Sequence, residues 1–461
     1  MMESHSYQDK TIAVFGLGKS GMSTARRLQD GKAHVFVWDD NEGRRRTASE
    51  HGLTLKDLLG ERWQPTEALV LSPGVPLTHP APHAIVDAAK SAGTKIIGDV
   101  EIFLQEKTAG RLIGITGTNG KSTTTALISH LLSSAGRPVA AGGNIGTPVM
   151  DLPQLDEDGT YVLELSSYQL DLTPSWQADI AILLNITPDH LDRHGDLSGY
   201  ADVKRRIFQK QTEKGVAVLN QDDPLCRQIA DDLRRESKTH IILISTIQAA
   251  EGGVSVIDGL LKDQSRGDQP WTVDISDIAS LRGRHNWQNA AAAVAAVSSM
   301  GLEPDEIRRG LTSFGGLAHR MEPVGSLGPV SFVNDSKATN AEAAEKALTS
   351  FENIYWIAGG REKAGGITSL SPHFGRIAHA FLIGEAKDNF AATLTGHISF
   401  TICDTLAEAT EKAANAAFRS RDKSAVVLLS PAAASFDQFT SFEARGDAFR
   451  EIVARLIAEA S

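Results

Sequence analysis

Arg111-Leu-Ile-Gly114-Ile-Thr-Gly117-Thr-Asn-Gly120-Lys121-Ser122 runs from an apolar strand into a glycine-rich turn and ends on Gly-Lys-Ser before a helical stretch, Thr123–Ala135. Such a loop lets backbone N–H groups cradle phosphate oxygens, with Lys121 neutralising them and the Ser122 hydroxyl placed for Mg²⁺. The strict pattern wants glycine five residues before Gly120, where Ile115 stands. The plainer alternative, a helix N-cap in a glycine-rich turn, loses weight because strand, loop and helix occur in the order the motif needs.

Working outward, short β-rich runs alternate with helical runs. Before the loop come strands at Thr11–Phe15, His34–Trp38, Ala68–Leu71 and Lys95–Ile97, with helices at Met22–Asp30 and Pro82–Ala92. After it come strands at Tyr161–Leu165, Ile180–Asn185, Val216–Asn220 and Ile241–Ser245, a β-rich insertion at Gly253–Val273, and helices at Asn286–Met300 and Pro304–Ser313. A third series follows Gly315-Gly316: strands at Val330–Val333, Ile354–Ala358, Ala380–Ile383, Ile398–Ile402 and Ala425–Leu429, with helices at Ala341–Leu348 and Leu406–Phe418. This rhythm predicts parallel sheets covered by helices, in three α/β units with joints near Gly98 and Gly316. The length of 461 residues agrees with about three domains.

Composition narrows the class. The net charge of −11 argues against a general nucleic-acid or membrane-surface binder. Cys226 and Cys403 are too few for a disulfide framework or a cysteine zinc site, which suits a reducing cytosol. With no visible targeting segment and no membrane-length apolar run, the expectation is a soluble cytoplasmic protein without membrane insertion.

Four further features could carry chemistry. Gly16-Leu-Gly18-Lys-Ser-Gly21 follows a strand and opens a helix, and Asp39 lies 23 residues beyond Gly16. That is a dinucleotide-type phosphate layout, though glycines in a tight turn would explain it more blandly and the nucleotide does not follow. Glu164 ends an apolar strand, where a carboxylate is costly unless paired or metal-bound; Mg²⁺ is one reading, a buried Arg or Lys partner the other. Asn185-Ile-Thr-Pro-Asp189-His190-Leu-Asp192-Arg-His194 occupies a loop after a strand, where α/β sites form, yet each residue alone could be an ordinary turn residue. In the expected helix Gly199–Lys210, Lys204 shares a face with Tyr200, Ile207 and Phe208. Such a lysine either snorkels or, if desolvated, gains a nucleophilic amine.

Thr116-Gly-Thr-Asn-Gly-Lys-Ser122, Gly142-Gly-Asn144-Ile-Gly146, Glu164-Leu-Ser-Ser, the Asn185–Asp192 run and His285-Asn286 together resemble the Mur ligases, the ATP-dependent amide-forming enzymes of peptidoglycan synthesis. Order and spacing cover nearly the whole chain. Asn334-Asp335-Ser-Lys337-Ala-Thr339-Asn340, Leu429–Phe439, Phe442 and Arg445-Gly446 resemble the branch that adds D-glutamate to UDP-N-acetylmuramoyl-L-alanine through an acyl phosphate. The Asp-Asn-Pro-Arg box of the diaminopimelate- or lysine-adding branch is absent. Ala433 stands where relatives often have Cys, Tyr168 where they often have Phe, and Arg361-Glu362 where they often have Asp-Gly.

The resemblance implies an α/β chain of three domains: a Rossmann-like N-terminal domain (1–98) for the UDP substrate, a central P-loop ATPase-like domain (99–316), and a Rossmann-like C-terminal domain (317–461) for glutamate. It implies that Gly18, Lys19, Ser20, Asp39, Gly74 and Asn144 bind the UDP substrate. Gly117, Thr118, Asn119, Gly120, Lys121, Ser122, Asn289, Arg320 and Asp335 would bind ATP. Ser122, Glu164, His190 and a Lys204 carbamylated by CO₂ would hold two Mg²⁺ ions. Thr339, Lys363, Ser435 and the Phe442 backbone N–H would bind glutamate. Lys121, His190, Lys204 and Lys337 would be catalytic, in a monomer. Three other readings are weaker, the weakest being a noncatalytic nucleotide-binding protein, since the catalytic positions are all present. A nicotinamide oxidoreductase leaves the second loop, Glu164 and Lys204 unexplained. A folate-polyglutamating ligase fits the first domain and the Ser435–Phe442 segment poorly.

Overall fold

The protein is described by a computed structural model over residues 5–59, 66–144, 146–267, 269–362, 365–420 and 424–460. Its contacts group into two compact units, Met1–Asp277 with Arg284–Ser313, and Ile278–Gly283 with Phe314–Ser461.

The first unit holds two sheets. Strands β1 (Thr11–Phe15), β2 (His34–Trp38), β3 (Thr54–Leu55), β4 (Ala68–Leu71) and β5 (Lys95–Ile97) form a parallel sheet in the order β3-β2-β1-β4-β5. The chain changes direction of winding beside β1, so the glycine loop after β1 opens at the switch point where such sheets bind ligands. Glycine is required there by space: a Cβ on Gly21 would lie 1.9 Å from the Gly16 carbonyl oxygen. The helix Lys19–Asp30 therefore sits directly on the strand end.

The second sheet has nine strands: β6 (Arg111–Thr116), β7 (Val139–Gly143), β8 (Thr160–Glu164), β9 (Ile180–Leu183), β10 (Val216–Asn220), β11 (His240–Ser245), β12 (Val254–Ile257), β13 (Leu260–Asp263) and β14 (Trp271–Asp274). Their order is β14-β13-β12-β11-β10-β9-β6-β8-β7, parallel from β7 to β12 and antiparallel through β13 and β14, where the β-rich insertion was expected. Strands β8 and β9 are buried along their whole length, which explains the apolar run Tyr161–Leu163 in β8 and the wholly apolar β9. The helix Arg284–Ser299 presents buried alanines from Ala290 to Ala296, broken only by Val294, and packs against the helix Lys121–Ser134 and strands β10 to β12. Small side chains permit that close approach.

The second unit contains β15 (Glu322–Leu327), β16 (Val330–Asn334), β17 (Ile354–Gly359), β18 (Ile377–Ile383), β19 (Phe400–Ile402) and β20 (Ala425–Leu429), in the order β15-β16-β20-β17-β18-β19. Only β15 is antiparallel to its neighbour. Strands β16, β20 and β17 are adjacent and parallel, so the loops at their carboxyl ends emerge side by side.

Differences from the sequence reading are local. The helix expected at Gly199–Lys210 runs Leu197–Arg205, capped by Asp196, and tightens into a 3₁₀ turn at Arg206–Phe208. The helix expected from Pro82 begins at Ala84, because the His83 side chain accepts the Ile85 N–H and caps it. Helices at Glu42–Glu50, Pro224–Glu236 and Phe442–Ala460, and strand β7, were not anticipated. Among the described residues, no helix is long and apolar enough to cross a membrane.

Candidate active site

The phosphate loop is held in shape from two sides. Gly120 has a left-handed backbone (φ 90°), and a Cβ there would meet the Asn289 amide oxygen at 2.3 Å. Asn289 is buried, accepts the Thr124 hydroxyl (3.3 Å) and donates to Asn286 (3.3 Å), so it buttresses the loop from behind. On the other side stands Asn185, after β9. Its carbonyl accepts the Thr118 N–H (2.9 Å), its side-chain oxygen the Asn119 N–H (2.8 Å), and its amide donates back to the Asn119 carbonyl (3.1 Å). Two amides expected to cradle phosphate are thus engaged by Asn185. Lys121 folds back to donate to the Gly117 and Thr118 carbonyls, each at 2.9 Å, which places its ammonium over the loop. Ser122 is buried in the first helical turn. A cavity of about 380 Å³ in the same unit is lined by Asn220, Asp222, Thr246, Arg284, His285 and Gln288.

Lys204 is 1% exposed. Its Nζ donates to the Gly117 carbonyl (2.9 Å) and to the Thr116 hydroxyl (3.4 Å), and lies 4.6 Å from the Tyr200 ring centre. Burial, reinforced by the Lys121 charge, pushes its pKa down to about 7. The snorkelling alternative therefore fails: the ammonium is turned inward against the phosphate loop. Glu164 is equally buried, and its Oε1 accepts the Asn144 amide (2.9 Å), so its partner is neutral rather than a cation.

His190 is half-exposed, has a left-handed backbone (φ 52°), and pairs with Asp189 at 3.4 Å. His194 is the buried histidine of this run. Its Nε2 meets the Ser167 hydroxyl at 2.9 Å, its ring stacks on Tyr168, and burial lowers its pKa. Arg193 lies over Tyr168 and donates to the Gly74 and Val75 carbonyls (3.1 and 3.0 Å), tying this loop to the loop after β4. Among the described residues, no three His, Cys, Asp or Glu side chains converge as a metal site.

At the first loop, Asp39 is buried and already committed. Its carboxylate accepts the Leu17 N–H (2.6 Å) and the Asn41 N–H (2.8 Å) and meets Arg44 (3.3 Å), so it clamps the glycine loop onto the end of β2. Ser20 bonds to Asp99 at 2.5 Å. Gly18 caps the helix and Lys19 is exposed.

In the second unit, Asp335 is buried at the end of β16, accepting the Met321 N–H (3.2 Å) and the Ser430 hydroxyl (2.8 Å), and burial raises its pKa to about 7. Arg320 has a buried Nε with no hydrogen-bond partner among the described residues. Lys337 lies over the Phe442 ring at 5.4 Å, and Thr339 follows in the same loop. Ser435 is buried, and its carbonyl, not its hydroxyl, closes the following turn on Phe439 (2.8 Å). Lys363 lies outside the described residues; the backbone bridge Arg361–Ala434 joins the loop leading to it with the Ser435 loop.

Sequence reasoning gave no role to Arg445. It is 1% exposed and donates to the Ser336 hydroxyl (3.0 Å), the Ser336 carbonyl (2.8 Å) and the Ala433 carbonyl (3.1 Å). One buried guanidinium thereby links the loops carrying Lys337 and Ser435 to the helix that begins at Phe442, and burial lowers its pKa to about 10. Its sequence signal was its place in the Arg445-Gly446 pair of the family resemblance, which carried no role for the side chain.

Fold and loop define an α/β protein with three parallel-rich sheets and a Gly-Lys-Ser loop at the end of β6. Models of three domains match it: the Mur ligase MurD-like N-terminal domain at residues 10–98, the Mur ligase middle domain at 115–297, and the Mur ligase glutamate ligase domain at 319–433. The chain belongs to the Mur ligase family. It is 50% identical to UDP-N-acetylmuramoylalanine–D-glutamate ligase of Paramagnetospirillum magneticum, over 96% of each chain. It is 49% identical to the protein of the same name from Caulobacter vibrioides, over 99% of this chain and 98% of that one. Among solved structures, UDP-N-acetylmuramate–alanine ligase MurC of Thermotoga maritima shares the fold (TM-score 0.57, 15% identity, 98% and 100% covered). So does MurF of Acinetobacter baumannii (TM-score 0.55, 20% identity, 82% of each chain).

Proposed function

We propose that this chain is an ATP-dependent amide ligase that joins D-glutamate to UDP-N-acetylmuramoyl-L-alanine, in peptidoglycan precursor synthesis. The observation that carries the reading is identity near 50%, end to end, to relatives bearing that activity in their names. The phosphate loop of the second sheet supplies the nucleotide chemistry such a reaction needs.

A carboxylate is a poor acyl donor, because its charge repels nucleophile and phosphate alike. Transfer of the ATP γ-phosphoryl gives an acyl phosphate with a good leaving group, which the glutamate amine then displaces. Lys121 neutralises the transferred phosphoryl from its place over the loop. Gly117, Thr118, Asn119, Gly120 and Asn289 shape the nucleotide site, and the cavity beside His285 takes the nucleoside. Arg320, with its orphaned buried Nε, and Asp335 also serve ATP, and Lys337 attends the reacting phosphate. Gly18, Lys19, Ser20, Asp39, Gly74 and Asn144 position the UDP substrate. Thr339, Lys363, Ser435 and the Phe442 N–H hold glutamate. The domains are 1–98, 99–316 and 317–461, in a monomer that works in the cytoplasm.

The donor set fits Mg²⁺ on one condition. Glu164 is buried with one oxygen on a neutral amide, and among the described residues too few acidic or histidine side chains converge without another anion. Lys204 supplies it if carbamylated: the neutral amine, populated near pH 7, adds CO₂ and releases a proton. Ser122 and Glu164 would then hold one ion, and Glu164, His190 and carbamylated Lys204 the second. Bound there, Mg²⁺ offsets the charge of the triphosphate and of the acyl carboxylate.

The test is phosphate release from ATP with UDP-N-acetylmuramoyl-L-alanine and each amino acid in turn. Release with D-glutamate alone is the expected result. Turnover only with L-glutamate would overturn the stereochemistry, and hydride transfer without ATP turnover would overturn the class.

A further inference from the structure

Asp99 opens the helix Asp99–Glu106 and is 2% exposed. One carboxylate oxygen lies 2.5 Å from the Ser20 hydroxyl, in the first turn of the helix that follows the Gly16–Gly21 loop. The other is buried without a hydrogen-bond partner among the described residues. An ionisable group is thus buried beside Ser20, with the Val100 N–H and the Gln169 amide near it but no close hydrogen bond to its second oxygen.

A hydroxyl has a single proton. While Asp99 is ionised, the Ser20 proton is held on Asp99, and Ser20 turns only lone pairs toward an arriving phosphate. When Asp99 carries a proton, it donates to the Ser20 oxygen, and the Ser20 proton becomes available to a phosphate oxygen. A diphosphate at this helix end also adds negative charge close to the carboxyl, which favours the second arrangement.

We propose that docking of the substrate diphosphate is coupled to proton uptake by Asp99, which makes Asp99 the positioning residue for Ser20. The inference rests on the reading that the first domain holds the UDP group. Burial already raises the Asp99 pKa, against the smaller opposing pulls of Ser20, the Val100 N–H and the Gln169 amide. The charged groups on the surrounding elements are largely engaged elsewhere. Arg27 pairs with Asp151 (3.0 Å), Asp171 with Arg206 (2.7 Å), and Glu101 accepts the Ser175 N–H (3.0 Å). Lys19 is exposed at the loop, and Glu106 accepts the His5 and Ser6 N–H groups at the far end of the Asp99 helix.

Calorimetry of UDP-N-acetylmuramoyl-L-alanine binding to the full chain, in two buffers of different ionisation enthalpy, counts the protons exchanged. At pH values where free Asp99 is ionised, wild type should take up protons on binding, with affinity falling by up to about tenfold per pH unit as pH rises through that range. Asp99→Asn, whose amide donates to Ser20 as the protonated acid would, should bind without that uptake and with affinity that no longer tracks this titration. Infrared difference spectra of wild type should show a protonated-carboxyl band appearing on binding, shifted in Ser20→Ala. This readout stands even if Asp99→Asn does not fold. Binding without uptake or band, or equal uptake in Asp99→Asn, overturns the coupling alone. No binding by wild type overturns the substrate reading and the coupling with it.

Discussion

Replacing Asp335 with asparagine should stabilise the protein in a way that depends on pH. Burial raises the Asp335 pKa from the ordinary 3.8 to about 7. Between those values the folded state holds a proton that the unfolded chain has released, so stability falls as pH rises through this window, and the full penalty is reached above pH 7. With 1.36 kcal/mol per pKa unit, the penalty works out at about 2 kcal/mol at pH 5 and about 4 kcal/mol at pH 8. Asparagine carries no such penalty. It does mismatch one of the two bonds that the carboxylate accepts from the Met321 N–H and the Ser430 hydroxyl, at about 1–3 kcal/mol independent of pH. The gain from Asp335→Asn should therefore grow by about 2–3 kcal/mol from pH 5 to pH 8. Urea unfolding of the full chain at both pH values, with hydrogen exchange of peptides covering 330–334 and 425–429 to report the C-terminal unit, measures it. A gain that is the same at both pH values would show that Asp335 is not held protonated by burial, and the reasoning would be wrong.

Three further outcomes follow from the same geometry. Lys204→Ala should abolish turnover while calorimetry still detects ATP binding, because the phosphate loop is also held by Asn185 and Asn289; near-normal turnover would exclude Lys204 from the reaction. Lys363→Ala should raise KM for glutamate roughly ten- to a hundredfold, the value of a lost charge-assisted bond, with KM for ATP unchanged; equal effects on both would remove it from the glutamate site. Arg445→Met leaves the Ala433 and Ser336 carbonyls without their donor, so it should cost about 1–3 kcal/mol or more of stability and weaken glutamate far more than ATP, whereas Arg445→Lys should restore part of each. Thermal unfolding and a two-substrate KM comparison check this together.

Strands such as Thr11–Phe15, Ala68–Leu71, Val216–Asn220 and Ala425–Leu429 were legible end to end, because each is an apolar run flanked by polar or glycine residues. Strand β15 was not: Pro323 and Gly325 interrupt it, as an edge strand permits, and it reads as a loop. The helix Pro224–Glu236 carries a sequence signal in Asp223 at its cap and Pro224 in its first turn. In the site, helical spacing was enough to put Lys204 on a buried face. It could not reveal that Asn185 grips the phosphate loop 66 residues away, or that Arg445 bonds to Ser336 across 109. Those contacts are made by sheet order, which brings distant loops to one edge, and no local pattern encodes them. The acidic residue after β2 shows the converse: the motif was legible in Asp39, yet the structure spends its carboxylate on the loop backbone.

The central claim is that the chain activates a carboxylate by phosphorylating it, and an oxygen-transfer experiment tests this most directly. UDP-N-acetylmuramoyl-L-alanine labelled with ¹⁸O in the alanyl carboxylate is turned over with ATP and D-glutamate, and the released phosphate is analysed by mass spectrometry. Passage through an acyl phosphate transfers one labelled oxygen to each phosphate released. Phosphate that carries no label while the amide product accumulates would contradict the account.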